Sequence, residues 1–126
     1  MPKTIDTLAT HYAKDAKFIL HMSDVLVQGS YVEVMVYLTG LIKEFKPVFN
    51  VRKIVQKTVI FDWIDYVEFN NGCSAIWSGT SALTFNKEGK VINHSLWSDN
   101  AEQFNACVAS SDTRHQTMKF FKKTEL

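Results

Sequence analysis

The spacing of hydrophobic and polar residues changes along this chain, from a helical period at the start to strand-like alternation further on. Apolar positions recur at helical spacing in residues 4–13 and again in 30–46, where Ser30 begins a capping box. Pro47 is expected to end this second helix, because proline disfavours helical conformation in the residue before it. Between the two helices, the apolar run 18–22 suits a short strand.

Residues 51–97 are predicted to form strands, because β-branched and aromatic residues are frequent there and turn residues separate them. Turns at 70–72 and 86–89 are expected to make hairpins, since Asn and Gly adopt positive φ at little cost. A closing helix is predicted at 99–109, with Asp99 as its cap. The predicted strands cover 51–55, 58–69, 73–85 and 90–97. This order predicts an α+β fold in which an antiparallel meander follows two helices.

Length and charge narrow the class of protein. The 126 residues are predicted to form a single domain, 1–126, with 112–126 as a C-terminal tail. The net charge of +1 argues against a nucleic-acid partner and against a membrane surface. No apolar run is long enough to span a membrane, and residues 1–10 lack the apolar core of a signal peptide. We therefore predict a cytoplasmic protein in which Cys73 and Cys107 are reduced thiols.

Two segments resemble the nuclear transport factor 2-like superfamily, in its SnoaL-like and ketosteroid isomerase-like branch. The opening of those proteins is similar to the run 12–18, Tyr-Ala-Lys-Asp-Ala-Lys-Phe, followed by Gly29 at a helix start. Their last hairpin is similar to Phe85–Val91 followed by 97–99, Trp-Ser-Asp, and Gly72 falls on their hairpin glycine. The resemblance implies a cystatin-like cone, in which a curved mixed or antiparallel sheet wraps around N-terminal helices. It also implies a pocket at the open end and a homodimer.

The chain departs from that family pattern at three points. The long first helix of the family is predicted to be missing, since only three residues precede the segment 4–13. Leu20 stands where the isomerases keep their proton-abstracting aspartate, and Ser81 stands where they keep a second, protonated acid. Ser81 can still donate a hydrogen bond, whereas Leu20 cannot move a proton. The resemblance therefore predicts the fold and argues against isomerase activity of that kind.

The strand predicted at 58–69 has two different faces. By resemblance, its even positions face the cone interior: Asp62, Ile64, Tyr66 and Glu68. Its odd positions then form an outward apolar row, and such a row usually marks an interface. We therefore predict a homodimer through Phe61, Trp63 and Phe69. The alternative is that a bulge reverses the two faces and places these aromatic residues in the core.

Candidate catalytic residues are the ionisable groups expected inside the pocket: His94, Glu68 and Asp62. A carboxyl group in an apolar cavity has a raised pKa and can act as an acid or a base, and a neutral imidazole can carry protons near pH 7. The simpler alternatives are that Glu68 is a solvated rim residue and that His94 is merely hydrogen-bonded. Further residues are predicted to bind a ligand in the pocket: Leu20, His21, Ile64, Tyr66, Trp77, Ser81 and Leu96.

These features predict an apolar pocket for a small organic ligand. One hypothesis is an enzyme of the isomerase, cyclase or dehydratase type, which moves a proton through His94 or an inward acid. Tyr66 and Ser81 would donate hydrogen bonds to its substrate. The other hypothesis is a non-catalytic ligand-binding or protein-interaction module. No cofactor is expected, and no metal site is expected because no close pair of histidines occurs.

Overall fold

The computed structural model of the protein describes residues 11–23, 25–112 and 121–123. The strands are β1 (Tyr12–Met22), β2 (Val25–Ser30), β3 (Ile42–Val55), β4 (Thr58–Phe69), β5 (Ser74–Phe85), β6 (Val91–Ser98) and β7 (Phe121–Lys123). The helices are α1 (Tyr31–Leu41) and α2 (Glu102–Ser111). The α+β class predicted from the sequence is confirmed. Within the described part of the chain, neither helix is long and apolar enough to cross a membrane.

One mixed sheet contains all of these strands, in the order β3-β4-β5-β6-β1-β2-β7. β1 and β6 run parallel, while every other neighbouring pair is antiparallel. Buried side chains of α1 and α2 pack with those of the sheet in one hydrophobic core. The helices therefore cover the inner face of the sheet, and a half-exposed outer face remains on its other side.

The N-terminal segment departs from its predicted conformation. Most of the predicted helix 4–13 lies outside the described residues, but Tyr12 and Ala13 belong to β1 and not to a helix. The predicted strand 18–22 forms only the second half of β1, because the pairing with β6 extends back to Tyr12 opposite Val91. The strand is therefore longer than its apolar run.

Helix α1 begins where the capping box predicts it and ends earlier than expected. The Ser30 side chain accepts a hydrogen bond from the backbone N–H of Glu33, over 3.2 Å. The helix ends at Leu41, so the prediction of helix as far as residue 46 is wrong. Instead, this segment opens β3, which pairs with β4 at one edge of the sheet. Pro47 is tolerated within β3 because an edge strand makes ladder hydrogen bonds on one side only.

The two hairpin turns form where the sequence predicts them. Gly72 and Gly89 have φ of +88° and +79°, a region that glycine enters without steric cost. The strand predicted at 58–69 coincides with β4, and β5 and β6 begin within one residue of their expected starts. The central hairpins are thus the best-predicted part of the sheet.

The ends of the closing helix differ from the prediction. Helix α2 starts at Glu102, and Ala101 takes the N-cap position in place of the predicted Asp99. The Ala101 backbone N–H donates to the hydroxyl of Ser23, 2.8 Å away, which ties the helix start to the turn after β1. In the predicted tail 112–126, β7 adds a strand beside β2, and residues 113–120 and 124–126 lie outside the described residues.

The two faces of β4 are the reverse of the prediction. Trp63 and Phe69 are 3% and 0% exposed, whereas Ile64 and Tyr66 are 42% and 45% exposed. The cause is the register with β5, which places Trp63 opposite Gly79 and contains no register shift. Because directly paired residues share a face, the odd positions of β4 follow the inward side of β5.

This reversal moves the predicted dimer face into the protomer. Trp63 and Phe69 are core residues, and Phe61 packs against the same core. The alternative of core aromatic residues is therefore correct, although no bulge interrupts the β4–β5 pairing. A homodimer stays a prediction, but it cannot use these three side chains as an outward row.

A disulfide joins Cys73, just before β5, to Cys107 in α2, with the two Cα atoms 5.6 Å apart. The prediction of reduced thiols is therefore wrong. The fold brings the pair together because α2 packs on the end of the β4–β5 hairpin, far from it in sequence. Two cysteines with no motif spacing give no sequence signal for such a bond.

Candidate functional site

A cavity of about 320 Å³ lies between the inner face of the sheet and the two helices. β1, β3, β4, β5 and β6 supply most of its walls, and both helices contribute to them. Its surface is largely aromatic and aliphatic, with a few polar side chains set among these groups. Such a cavity has the usual form of a site for a small organic molecule.

Several predicted pocket residues lie in this cavity. Leu20, Trp77, Ser81, His94 and Leu96 all line it. Strand pairing explains the grouping, because Leu96 of β6 lies between Leu20 of β1 and Ser81 of β5 in the sheet. Side chains of directly paired residues point to the same side of a sheet.

Three other predicted ligand-binding residues lie elsewhere. Ile64 and Tyr66 are on the outer face of the sheet, for the reason of register given above. His21 is exposed as well, and its ring is stacked on that of Trp97, with ring centroids 6.0 Å apart. The prediction that these side chains face the cavity is wrong.

The two predicted catalytic acids also lie away from the cavity. Asp62 accepts a hydrogen bond from the Thr80 hydroxyl over 2.8 Å, and its other carboxylate oxygen is 3.3 Å from Arg52 Nε. A carboxylate oxygen of Glu68 lies 3.7 Å from Lys43 Nζ. Both acids sit at even positions of β4, so they form ion pairs at the surface instead of proton-transfer groups inside.

Asp65 is the acid that the fold does place in the cavity. It lies at an odd position of β4, opposite Trp77, and is 6% exposed. Burial raises the pKa of this carboxyl group to about 7, because an apolar environment disfavours the charged form. Its Oδ1 atom has no hydrogen-bond partner among the described residues. The cavity therefore contains a carboxyl group that can change protonation near neutral pH.

Aromatic rings surround this carboxyl group. The rings of Trp63 and Trp77 meet edge to face, with centroids 4.7 Å apart, and Trp77 is stacked on Phe104 of α2 at 4.1 Å. The Trp63 ring covers Gly79, where an added Cβ would lie 2.7 Å from Trp63 Cζ2 and also collide with the backbone oxygen of Trp97. Only glycine leaves room for this ring, so Gly79 shapes the cavity wall.

His94 occupies the part of the cavity beside β1. Burial lowers the pKa of its imidazole to about 4, so the ring is neutral at pH 7. Its Nδ1 atom lies 3.0 Å from the hydroxyl oxygen of Tyr12, and its ring meets Phe18 edge to face at 4.7 Å. When Tyr12 donates to Nδ1, the ring proton is on Nε2, which has no partner among the described residues.

Unpartnered polar atoms are a shared feature of the cavity. The described side chains that line it and carry a buried polar atom without a hydrogen bond are Trp63, Asp65, Trp77, Ser81 and His94. Such atoms are costly to bury, so they indicate a place where a ligand or water makes the missing hydrogen bonds. As for metals, the described residues hold no group of three or more His, Cys, Asp or Glu that could bind an ion.

Sequence reasoning missed Trp63 and Asp65 as site residues. A usable signal existed, because the odd row of β4 is more apolar than the even row, and simple alternation would have buried it. Tyr12 falls within the predicted helix 4–13, and that prediction gives no reason to expect its contact with His94. Phe104 lines the cavity because α2 packs against the sheet, and the local sequence pattern of α2 does not predict that packing.

Comparisons with known proteins agree with this architecture. No protein-family model matches the sequence, and no curated protein matches it. Solved structures do match: an NTF2-like protein of unknown function from Exiguobacterium sp. 255-15 has a TM-score of 0.63 and 15% identity, over 79% of this chain and 86% of its own. A candidate SnoaL-like polyketide cyclase from Jannaschia sp. CCS1 also has a TM-score of 0.63, with 16% identity, over 83% of this chain and 78% of its own.

A candidate hydroxylase, AclR from Streptomyces galilaeus, is similar over 91% of this chain and 77% of its own, with a TM-score of 0.63 and 12% identity. Identities this low establish the fold and not the activity. The chain therefore has the nuclear transport factor 2-like fold. Its structural neighbours include SnoaL-like proteins, as the sequence resemblance predicted.

Proposed function

We propose that this protein binds a small, largely aromatic organic molecule in its cavity and moves a proton on it through Asp65. The observation that carries the proposal is a buried carboxyl group with a free oxygen, set in an aromatic cavity. A pKa of about 7 lets the group give and accept protons near neutral pH. This proposal replaces the outward acids Asp62 and Glu68 with a single inward one.

The reaction class is a proton shift next to a carbonyl group. The Asp65 carboxylate takes a proton from a carbon beside the carbonyl, and the electron pair of that C–H bond moves to the carbonyl oxygen. Where a second double bond is conjugated with the enolate, Asp65 returns a proton to the far carbon of that bond, so the double bond moves towards the carbonyl. Where there is none, Asp65 returns a proton to the original carbon, and exchange of the Asp65 proton with water places a solvent hydrogen there. Such a cycle needs no oxidant, reductant or cofactor, and it belongs to isomerase and cyclase chemistry.

His94 has a different role in this proposal. Its imidazole is neutral at pH 7, so it supplies a hydrogen bond and not a positive charge. The contact with Tyr12 fixes the ring, which leaves Nε2 available to a ligand. We propose that His94 orients the bound molecule while Asp65 moves the proton.

A ligand-binding module without chemistry is the second candidate. Leu20 favours it, because this buried cavity residue stands where the resemblance places the catalytic aspartate of the isomerases. The cavity would then hold its ligand through the same unpartnered polar groups. The two candidates differ only in whether Asp65 exchanges a proton with the ligand.

We also propose that the protein resides outside the reducing cytoplasm. The Cys73–Cys107 bond supports a compartment that maintains disulfides over the predicted cytoplasm, where such bonds are rare. Thiol labelling of protein taken directly from its native cell would decide between the two.

Deuterium exchange tests the catalytic proposal. The protein is incubated with 2-tetralone in D2O, and incorporation next to the carbonyl is followed by NMR. We expect Asp65→Asn to slow the protein-dependent exchange by roughly 10²–10⁴, the usual contribution of a general base. Asp62→Asn, on the outer face of the same strand, is the matched control and should exchange at the wild-type rate. Equal rates in wild type and Asp65→Asn would favour the module without chemistry.

A further inference from the structure

We propose that the indole N–H groups of Trp63 and Trp77 form a donor site for the carbonyl oxygen of the ligand, so that the cavity selects aromatic ketones. The proposal deepens the function proposed above and rests on it, since it assumes that the cavity binds an organic molecule. It assigns to these two tryptophans a role as hydrogen-bond donors that specify the ligand.

Burial and hydrogen bonding single out the two indoles. Trp63 and Trp77 are nearly inaccessible to solvent, and both line the cavity. Neither Nε1 atom has a hydrogen-bond partner among the described residues. A buried indole N–H usually finds an acceptor, because leaving it unpaired is unfavourable. Two such donors in one cavity leave room for one acceptor atom of a bound molecule to accept from both.

The sheet places the two indole rings next to each other. Trp63 and Trp77 lie on the neighbouring strands β4 and β5, on the same face, and their ring centroids are 4.7 Å apart. Stacking on Phe104 fixes one ring, and close packing over Gly79 fixes the other. Rings that cannot turn keep their N–H groups in place before the ligand arrives.

The balance of polar groups favours an acceptor on the ligand. The indoles can only donate, and the Ser81 hydroxyl in the same cavity, 1% exposed and unpartnered, can donate as well. Asp65 also becomes a donor when it is protonated, at pH values below about 7. A carbonyl oxygen accepts two hydrogen bonds in the plane of its substituents, and flat aromatic walls suit a ring attached to it. An aromatic ketone meets both requirements, whereas a hydrocarbon leaves the donors unpaired.

A matched pair of ligands tests the proposal by calorimetry on the full chain. 1-Indanone and indane have the same bicyclic shape. They differ at one position, where 1-indanone has a carbonyl group and indane has a methylene group. We expect the wild type to bind 1-indanone about tenfold more tightly than indane, the effect of about two hydrogen bonds. Trp77→Phe and Trp63→Phe keep an aromatic ring and remove one donor each, so each should bring the two dissociation constants closer together.

Trp97→Phe is the control, because Trp97 is exposed on the outer face and should leave the preference for 1-indanone unchanged. NMR gives a second readout that needs no variant to fold. The chain has three tryptophans, and 1-indanone should shift two of the three indole N–H signals, while indane shifts them much less.

Three outcomes would contradict either the donor site alone or the donor site together with the proposed binding function. Equal binding of both ligands by the wild type overturns the donor site and leaves the proposed binding function intact. A preference for 1-indanone that survives both Trp63→Phe and Trp77→Phe also overturns the donor site alone. Failure of the wild type to bind either ligand overturns the proposed function and the donor site together.

Discussion

Asp65 and His94 respond to burial in opposite directions within one cavity. The pKa of Asp65 rises to about 7 and that of His94 falls to about 4, because both groups lose favourable hydration of their charged forms. At neutral pH, the imidazole therefore carries no charge, and the carboxyl group is near its midpoint. The combined charge of these two groups at neutral pH therefore lies between zero and minus one and is set by Asp65 alone.

These two shifts have opposite effects on stability. Between its ordinary pKa of 3.8 and about 7, Asp65 binds a proton more tightly in the folded state, so its contribution to stability falls as pH rises. Between 6.5 and about 4, His94 binds a proton more tightly in the unfolded state, so stability falls as pH decreases. Across their shared window, from about pH 4 to 6.5, the two contributions offset each other.

Single substitutions should separate the two offsetting contributions to the pH dependence of the free energy of unfolding. Relative to Asp65→Asn, the wild type should lose stability as pH rises from 4 to 7, by up to about 4 kcal/mol. Relative to His94→Phe, it should lose up to about 3 kcal/mol as pH falls from 6.5 to 4. Urea unfolding at a series of pH values measures both differences. A difference that stays constant with pH would show that the group is hydrated in the folded protein.

The sequence located some of these residues and not others. His94, Ser81 and Leu20 were predicted because the resemblance to a known family carries strand positions, and those positions hold. The resemblance could not identify Asp65, because it places the even positions of β4 in the cone interior and Asp65 is at an odd position. The odd positions of β4 are the more apolar ones, but large apolar side chains occur on both faces. Pairing with a neighbour, which is not local information, therefore decides which face is inward.

Among the elements, the hairpins were predictable and β3 was not. Asn and Gly encode the turns that join β4, β5 and β6 directly, because few other residues accept positive φ. Residues 42–46 continue the helical spacing of α1, yet they form strand. Pairing of β3 with the whole of β4 outweighs the local preference of these few residues.

The disulfide connects two elements that frame the cavity. It fixes α2 to the end of the β4–β5 hairpin, and α2 supplies the Phe104 ring stacked on Trp77. Since Cys73 and Cys107 are 34 residues apart, the bond removes considerable freedom from the unfolded chain.

Loss of that bond should lower stability by about 2–4 kcal/mol, the typical range for a disulfide, and the loop-closure estimate for this spacing lies at its upper end. We expect Cys107→Ser to lower the urea midpoint, and a reductant to lower the midpoint of the wild type in the same way. The control is the reductant added to Cys107→Ser, which should have no further effect. Identical midpoints for oxidised and reduced wild type would contradict this role.

At the scale of the whole molecule, we propose the outer face of the sheet as the surface of the predicted homodimer. Tyr66 and Ile76 are directly paired on β4 and β5, and Ile64 lies on the same side. These side chains and Trp97 are between 42% and 59% exposed, and they form an apolar patch beside the ion-paired acids Asp62 and Glu68. A second copy of the chain would cover it, as expected for a symmetric pair.

Charge on this surface should abolish the dimer. We expect sedimentation to give a dimer for the wild type and a monomer for Tyr66→Lys combined with Ile76→Lys, because lysines would be desolvated in the contact. Val36→Lys is the control, since Val36 is also exposed but lies on α1, away from the outer face. A wild type that is already monomeric at micromolar concentration would contradict the prediction.

The side chains on the two faces of β4 also affect how the chain folds. A slip of one residue would bury Ile64 and Tyr66 in place of Trp63 and Asp65, and it would bury Asp62 and Glu68 as well. These two carboxylates are ion-paired at the surface of the native sheet, so they disfavour the slipped pairing. Gly79 favours the native pairing too, because only a glycine at that place leaves room for the Trp63 ring. Residues on both faces of the strand therefore guide the chain away from a misfolded sheet.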